Sequence, residues 1–137
     1  MIHNKVGKIF FDSGAEINFI SSETVTKLLC LQPDIPIYAE TYKIKCANGS
    51  EMQNKGVIEL QLNIAGASSV QKFAIIDNLF PRVIIGMKTM KQIGLKILPQ
   101  LSGVEINNKF VPFISKVEDT DPLCSVNYRQ SSLSAEI

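Results

Sequence analysis

The residues best suited to chemistry form a short run near the amino terminus, Phe10-Phe11-Asp12-Ser13-Gly14. An apolar segment brings the Asp12 carboxylate into a loop, where Gly14 lets another backbone approach closely. Burying part of a carboxylate costs free energy, and two such groups side by side share one proton and can activate a water molecule. The alternative is an exposed turn, because aspartate, serine and glycine all favour turns. The triplet taken alone favours that turn.

The histidine and cysteine content limits the other kinds of catalytic site. His3 is the only histidine and stands at the terminus, so no internal imidazole can serve a Ser-His-Asp or Cys-His nucleophile. The cysteines Cys30, Cys46 and Cys124 are odd in number and show no C-x-x-C spacing, which indicates neither a disulfide framework nor a zinc site. The sequence therefore predicts neither a histidine-dependent nucleophile nor a zinc site.

Charge and hydropathy argue against two classes of partner. With 14 Lys+Arg against 13 Asp+Glu, the formal net charge of +1 provides no basic footprint for nucleic acid. No apolar run approaches the roughly 18 residues of a membrane span, and Met1–Lys5 lacks the apolar core of a secretory signal. At 137 residues with 45% apolar side chains, the chain has the size of one domain. The sequence predicts an intracellular, cytoplasmic protein without membrane or nucleic-acid partners.

The elements expected to position Asp12 are a strand before it and a short helix after it. Val6–Phe11 is rich in residues that favour strands and runs directly into the Asp12 loop. Ser21 or Ser22 can cap the following helix, whose apolar side chains fall on one face: Val25, Leu28 and Leu29. Pro33 then limits the length of this helix.

Two hairpins follow in the middle of the chain. Ile37–Ala47 has an imperfect strand-like alternation, and Asn48-Gly49 predicts a type I′ turn into a return strand. The second hairpin alternates with period two and has three parts: Val57–Ile64, the turn Ala65-Gly66-Ala67, and Val70–Ile76. The chain is therefore expected to be a β-rich meander.

A buried strand, a short helix and a last hairpin make up the remainder. Arg82–Gly86 is apolar after its first residue, and Met87–Ile93 places methionine and isoleucine at helical spacing. Val104–Val111 has the pattern of a hairpin. Residues 1–116 are expected to form one domain, and residues 117–137 a polar, flexible carboxyl-terminal tail.

Two motifs and their spacing resemble the retroviral and retrotransposon aspartic proteases, the retropepsins. Asp12-Ser13-Gly14-Ala15 follows an apolar strand, and Ile84-Ile85-Gly86 with its short helix stands about seventy positions later. The Asn48-Gly49 hairpin falls where that family has its flap. Ile75–Pro81 is similar to the stretch that leads to the family's last core strand. The resemblance covers residues 8–98. Two motifs at this spacing are a more specific signal than a three-residue pattern alone.

The resemblance implies a mostly-β fold, a retropepsin-like closed β-barrel or sandwich with a flap hairpin and one short carboxyl-terminal helix. The family builds one active site from two Asp-Thr/Ser-Gly loops, and this sequence has one such loop. The resemblance therefore implies a homodimer in which Asp12 of each copy contributes to a catalytic pair. Ser13 would hydrogen-bond across the two loops, and Gly14 would let the loops and the substrate backbone approach.

The resemblance also assigns residues to substrate binding. Ala15 and Glu16 would begin the edge along which an extended polypeptide binds. At the tip of the flap, Ala47, Asn48 and Gly49 would close over that polypeptide and exclude water. The reaction implied by the resemblance needs no metal ion and no organic cofactor.

Further positions either extend the resemblance or depart from it. Arg82 and Ile84 fall where the family's pocket wall would lie, although Ile84 is equally expected in a core strand. Glu16 replaces the commoner aspartate, and Met87 stands where viral members carry an arginine that pairs with that acid. The string Ile85-Gly86-Met87 looks more like the retrotransposon branch than the viral one.

The function implied by the resemblance is that of an aspartic endopeptidase acting on extended polypeptides, with the processing of a retroelement polyprotein as its context. A host-domesticated protease that acts on cellular proteins is an alternative within the same enzyme class. A second alternative is a non-catalytic module that uses the same groove to bind peptides or to dimerise. The intact Asp12-Ser13-Gly14 favours the enzyme, because a costly partly buried carboxylate would serve no purpose in such a module.

Overall fold

The computed structural model describes residues 5–46, 48–113 and 131–136. Within these residues the chain forms short strands, two α-helices and one 3-10 turn at Pro99–Leu101. In chain order the strands and helices are β1 (Lys5–Phe11), β2 (Asn18–Ser21), α1 (Ser22–Leu31), β3 (Ile37–Tyr38), β4 (Lys43–Lys45), β5 (Glu51–Gln53), β6 (Val57–Ile64), β7 (Ala67–Ile76), β8 (Val83–Ile85), α2 (Met87–Gln92), β9 (Lys96–Leu98), β10 (Gly103–Ile106), β11 (Lys109–Pro112) and β12 (Ser131–Glu136).

The largest sheet has the strand order β12-β1-β8-β2-β7-β6-β3. β1 runs parallel to β8 and β2 runs parallel to β7, whereas β2 with β8 and β6 with β7 are antiparallel. The expected mostly-β class is therefore confirmed. The expected closed barrel is not found among the described residues, because β12 meets β6 at one register pair, Glu136 with Asn63, rather than along a ladder.

The strand β12 lies in the part of the sequence expected to be a polar tail. Ser131–Glu136 pair with β1 in antiparallel register, from Lys5 opposite Glu136 to Phe11 opposite Ser131. The backbone of this polar segment finds its hydrogen-bond partners on the edge of β1 that faces away from β8. The proposed boundary at residue 116 stays a prediction.

One face of the large sheet packs against both helices and β10 to form the core. The alternation along β1, β7 and β8 places every second side chain on this face, as the period-two pattern predicts. Burying a large aliphatic or aromatic side chain contributes about 1.5–3 kcal/mol. The buried members of this core include Ile9, Phe11, Val25, Leu28, Phe73, Ile75, Val83, Ile85, Met90 and Val104.

Both predicted helices are present. Ser21 is the N-cap of α1, and its hydroxyl oxygen accepts the Thr24 N–H at 3.2 Å, which satisfies one of the unpaired donors of the first turn. The predicted apolar face of α1 is confirmed by the burial of Val25 and Leu28. α2 ends at Gln92, one residue before the predicted end, and buries Met90. No helix in the described ranges is long and apolar enough to cross a membrane.

The two glycine turns differ from each other. Ala65 and Gly66 have φ values of +50° and +86° and connect β6 to β7 directly, as a type I′ turn does. The type I′ turn predicted at Asn48-Gly49 is wrong. Gly49 N–H donates to the Cys46 carbonyl at 3.0 Å, and Cys46 N–H donates to the Ser50 carbonyl at 2.8 Å. Gly49, at φ +87°, therefore ends a three-residue loop, where a left-handed residue closes a bulge.

Candidate active site

The Asp12 loop begins where β1 ends, beside the end of β8. Phe10 and Phe11 pair in parallel with Ile84 and Ile85, and the Asp12 N–H donates to the Ile85 carbonyl at 3.0 Å. Phe11 and Ile85 are almost completely buried, so the two strands hold the start of the loop in the core. Asp12 is thus the first polar residue at an edge where two buried parallel strands end.

The Asp12 carboxylate is held by its own loop. Its Oδ1 accepts the Gly14 N–H at 2.9 Å, and the Ala15 N–H donates to the Asp12 carbonyl at 3.1 Å. Its Oδ2 makes no hydrogen bond to any residue that the structure describes. Asp12 is half-buried, while Ser13 and Gly14 are exposed. The three residues expected to be catalytic therefore lie together, with one carboxylate oxygen open to a bound molecule.

The far side of the loop is tied to the residues that enter α2. The Ala15 carbonyl accepts the Met87 N–H at 2.8 Å, and the Glu16 carbonyl accepts the Lys88 N–H at 3.1 Å. This leaves almost no space at Gly86, where a Cβ atom would lie 2.4 Å from the Ile17 carbonyl oxygen. The two motifs of the sequence, which are distant along the chain, therefore form one structural unit.

A buried polar network supports this unit. Asn18 Oδ1 accepts the Gly86 N–H at 2.8 Å, and Asn18 Nδ2 donates to Thr89 Oγ1 at 2.6 Å and to the Lys72 carbonyl at 3.1 Å. Thr89 Oγ1 in turn donates to Gln71 Oε1 at 3.1 Å. Asn18, Gln71 and Thr89 are all at least nine-tenths buried. Sequence reasoning missed them, and the available signal was a polar residue at a position where the alternation calls for an apolar one.

Glu16 has a cationic partner that the sequence comparison did not identify. Lys88 Nζ lies 3.7 Å from Glu16 Oε1, and both side chains are more than two-thirds exposed. An ion pair with this exposure contributes little to stability. Met87, which occupies the position of the viral arginine, is half-buried and packs against the core instead. The cation opposite Glu16 is therefore supplied one residue later, by Lys88.

The two predicted pocket-wall residues have different surroundings. Ile84 is 5% exposed and lies between Phe10 on β1 and Phe19 on β2 in the sheet. Arg82 is exposed, and its carbonyl accepts the Ser21 N–H at 2.8 Å. Within one chain, Ile84 is thus a buried strand residue, and its contact with substrate stays a prediction.

The hairpin predicted to be the flap is β4 and β5. Asn48 Oδ1 accepts hydrogen bonds from the Ser50 N–H at 3.0 Å and from the Ser50 hydroxyl at 2.6 Å, which order the tip. Apart from its two chain neighbours, no atom of the described residues lies within 4 Å of a Cβ placed on Gly49, so the tip is open on that side. Ala47, also predicted to bind substrate, lies outside the described residues. Closure of this hairpin over Asp12 stays a prediction.

The base of the hairpin is clamped by Asn54, which is 4% exposed. Its Oδ1 accepts the Tyr42 N–H at 2.7 Å, and its Nδ2 donates to the carbonyls of Glu40 at 2.9 Å and Gly56 at 2.7 Å. The Asn54 side chain hydrogen-bonds to backbone groups that would otherwise pair between strands. This explains why the single strand expected over Ile37–Ala47 is split into β3 and β4.

A charged cluster joins the same base to β7. Tyr42 Oη donates to Glu40 Oε2 at 2.7 Å, and Lys72 Nζ donates to Glu40 Oε1 at 3.2 Å. These two bonds hold the pKa of Glu40 below its ordinary value, while Glu40 raises the pKa values of both Tyr42 and Lys72. Lys72 Nζ also lies 5.2 Å from the centre of the Tyr38 ring. The hairpin base is therefore linked to the body of the sheet on one side.

Replacing Asn54 with alanine is expected to destabilise the fold by about 2 kcal/mol, because one buried and two partly buried backbone groups lose their partner. Urea unfolding measures the change, and hydrogen exchange at the Tyr42 amide should become faster. The matched control is Gln53→Ala, which truncates an exposed side chain of β5 and should change stability by less than about 0.5 kcal/mol. Equal stability of the two variants would contradict the role of Asn54 as a clamp.

A metal centre does not emerge from the described part of the chain. No three His, Cys, Asp or Glu residues are grouped there in a way that could hold a metal ion. The two carboxylates of the loop, Asp12 and Glu16, are engaged by the Gly14 N–H and by Lys88 respectively. Besides these two carboxylates, the polar groups of the loop are the Ser13 hydroxyl and backbone amides.

Comparison with known proteins gives matches in structure. No family model matches the sequence, and no curated protein matches it. The retroviral protease-like domain of Ddi1 from Leishmania major is similar with a TM-score of 0.59 and 19% identity, over 87% of this chain and 96% of that one. EIAV protease complexed with the inhibitor HBY-793 is similar with a TM-score of 0.52 and 13% identity, over 71% of this chain and 93% of that one.

At these identities the similarity concerns the fold. The chain has a mostly-β fold that matches retropepsin-like folds, which confirms this part of the predicted architecture, whereas the predicted closed barrel is not found among the described residues. The homodimer, the peptide-cleaving reaction and the retrotransposon branch stay predictions.

Proposed function

We propose that this chain is an aspartic-type endopeptidase that hydrolyses peptide bonds in extended polypeptides as a homodimer. The observation that supports this function most directly is the state of Asp12. One carboxylate oxygen is bound by Gly14, and the other is open at the end of two buried strands. The similarity of the fold to retropepsin-like domains supports the use of this half-buried carboxylate in catalysis.

The proposed mechanism needs two copies of the loop, because one chain contributes one Asp-Ser-Gly carboxylate. Two Asp12 carboxylates a few ångströms apart cannot both be ionised, so the pair holds one proton. The ionised carboxylate takes a proton from water, and the protonated one donates a hydrogen bond to the scissile carbonyl oxygen. The water oxygen bonds to the carbonyl carbon. The C–N bond then breaks as the carboxyl group that took the proton from water gives it to the leaving nitrogen, which yields a new carboxyl group and a new amine. Ser13 hydrogen-bonds across the two loops.

The proposed substrate is a polypeptide bound in extended form. Its backbone lies along Ala15 and Glu16, beneath the hairpin tip at residues 47–49, with Arg82 and Ile84 contributing to the pocket wall across the dimer. The biological role that fits this activity is the processing of a retroelement polyprotein in the cytoplasm, on the retrotransposon side of the family. A host-domesticated protease uses the same chemistry on cellular proteins, and the proteins cleaved in cells distinguish the two roles.

Below the dimer dissociation constant, peptide hydrolysis is expected to rise more steeply than in proportion to protein concentration. The test incubates a mixture of unrelated extended peptides with the full chain from nanomolar to micromolar concentrations. Mass spectrometry quantifies cleavage, and analytical ultracentrifugation gives the mass in solution. Proportional activity from a monomer would contradict the dimeric mechanism. Peptide binding without cleavage at every concentration would instead support the non-catalytic binding module.

A further inference from the structure

A groove of about 330 Å³ lies next to the Asp12 loop, on the side of β7 and α2. One wall is the stretch of β7 from Val70 to Lys72, and the other is formed by Lys88 and Gln92 of α2. Ile17, which directly follows Glu16 in the chain, also lines the groove. The groove therefore begins where the proposed substrate edge ends. We name it the β7 groove.

Along this groove, β7 has one edge without a neighbouring strand among the described residues. β2 pairs with β7 from Asn18 opposite Phe73 onward, so the stretch of β7 before Phe73 has only β6 beside it among the described residues. On the β6 side, the Ile75 N–H donates to the Gly56 carbonyl at 3.0 Å, and the Ile75 carbonyl accepts the Lys55 N–H at 2.8 Å. Because backbone groups alternate in direction along a strand, those of Ser68 and Val70 point away from β6, and Val70 lines the groove. An unpaired strand edge is a template for an added strand.

The floor of the groove is built in advance. Asn18, Gln71 and Thr89 line it, and their side chains are bonded to one another and to backbone groups at 2.6–3.1 Å. All three are at least nine-tenths buried, so a ligand entering the groove would not need to order them. Binding to a preformed surface avoids part of the entropy cost of association. The groove is therefore suited to a peptide that binds in an extended conformation.

The exposed side chains of the groove indicate which residues such a ligand would carry. Val70 is 60% exposed and offers an apolar surface to a ligand in the groove. Lys72 is already engaged by Glu40 at 3.2 Å and faces Glu59 in the cross-strand register. Lys88 has only the long, exposed contact with Glu16 at 3.7 Å within the described residues. An acidic side chain of the ligand is therefore expected at Lys88.

We infer that the β7 groove is a second binding site for the polypeptide substrate. A substrate segment beyond the part that lies along Ala15 and Glu16 adds as a strand to the Ser68–Val70 edge of β7. This segment carries an apolar side chain over Val70 and an acidic one at Lys88. The inference rests on the proposed function, because the occupant is the same polypeptide that Asp12 cleaves. The inference adds a substrate preference at residues remote from the cleaved bond. Such a preference is possible because Ile17, which directly follows Glu16, lines the groove.

Binding is tested with the full chain carrying Asp12→Asn, which prevents cleavage of the probe. The probe is a fluorescein-labelled twelve-residue peptide of alternating threonine and valine around one glutamate. Adding Val70→Lys should weaken binding by about tenfold, and Lys88→Gln by about threefold. The matched control is Leu101→Lys, at a residue that is 64% exposed and lies outside the groove, and it should change binding less than about twofold.

A second arm tests strand addition without altering the protein. The same peptide with alternate amides N-methylated cannot form a ladder and should bind at least about tenfold more weakly. The unmodified probe should also slow hydrogen exchange at the Val70 amide. Equal binding of both peptides, or no effect of Val70→Lys, would overturn the inference.

Hydrolysis separates this inference from the proposed function. A peptide that the wild-type chain cleaves is compared with the same peptide extended by the probe sequence. The extension should lower KM by about fivefold with kcat unchanged, because it adds binding outside the reacting atoms. Equal KM values would overturn the groove as a substrate site while leaving the protease intact. Absence of cleavage of every peptide would overturn the proposed function, and with it the substrate as occupant.

Discussion

Replacing Asp12 with asparagine is expected to reduce peptide hydrolysis by at least about 10³-fold and to leave the fold unchanged. Asparagine keeps the oxygen that accepts the Gly14 N–H, so the loop retains its hydrogen bond. It removes the group that takes a proton from water and the proton that the pair shares. Steady-state hydrolysis of a cleaved peptide measures the loss, and thermal unfolding checks the fold.

The matched control for this substitution is Asp77→Asn. Asp77 also follows a strand and stands in a turn, but it is bonded to Lys55 and Ser22 and is exposed. Its replacement should leave hydrolysis within about twofold of wild type. Lys55 and Ser22 lower the pKa of Asp77 in the folded chain. The ionised Asp77 therefore stabilises the fold above the pKa that this carboxyl has in the unfolded chain, and this contribution is lost as the pH falls through its lowered pKa in the folded chain. Asp77→Asn should therefore flatten the pH dependence of stability in acid.

A mixing experiment tests whether two Asp12 residues form one site. Adding excess Asp12→Asn chain to wild type should suppress activity, because each mixed dimer lacks one of the two carboxylates. Excess Asp77→Asn chain should not suppress it. Full activity in the presence of the Asp12→Asn chain would show that a single chain cleaves alone, and would contradict the shared pair.

Replacing Gly86 with alanine is expected to destabilise the fold by about 3 kcal/mol and to abolish peptide hydrolysis. The added Cβ would lie 2.4 Å from the carbonyl oxygen of Ile17 and 2.9 Å from the carbonyl carbon of Glu16. Gly86 has a φ of −91°, which suits any residue, so the close approach alone requires glycine. The backbone must separate, and the Asp12 loop is displaced with it. Urea unfolding and hydrolysis measure the two effects.

The matched control for Gly86 is Gly66→Ala. Gly66 has a φ of +86° and no atom within 4 Å of an added Cβ, so it tests backbone conformation without crowding. An alanine in the left-handed conformation costs about 1 kcal/mol of folding free energy. The β6–β7 turn that contains Gly66 is separate from the Asp12 loop. Hydrolysis should persist in this variant. If Gly86→Ala were no less stable than Gly66→Ala, the packing of Gly86 against Ile17 would not hold the loop.

The features that sequence analysis predicted correctly depend on signals a few residues apart. The end of β1 at Phe11, directly before Asp12, follows from an apolar run that meets a turn-forming triplet. Ser21 caps α1, and Val25 and Leu28 face the core, because the cap and the helical spacing are local. The predicted β6–β7 hairpin is also confirmed, since its period-two pattern and its turn are contiguous.

The hairpin at residues 46–50 shows where a local signal was insufficient. Asn48-Gly49 favours a two-residue turn, yet Cys46 pairs with Ser50 and Gly49 closes a three-residue loop. The turn type depends on the register of the strands on either side, and that register is set at the base of the hairpin by Asn54. The same dipeptide can serve either turn because it accepts left-handed conformations in both.

The sequence by itself determined the carboxylate loop, its preceding strand, both helices and the mostly-β class, because each rests on neighbouring residues. Only the tertiary structure decided which distant groups complete the site. Asn18 meets Thr89 across 71 positions of the chain, and Lys88 rather than Met87 faces Glu16. Pairing of Ser131–Glu136 with β1 likewise needs an edge that exists only once the sheet has formed. These contacts join segments that composition and periodicity describe separately, because a hydrogen-bond partner is selected by distance in space and not by distance along the chain.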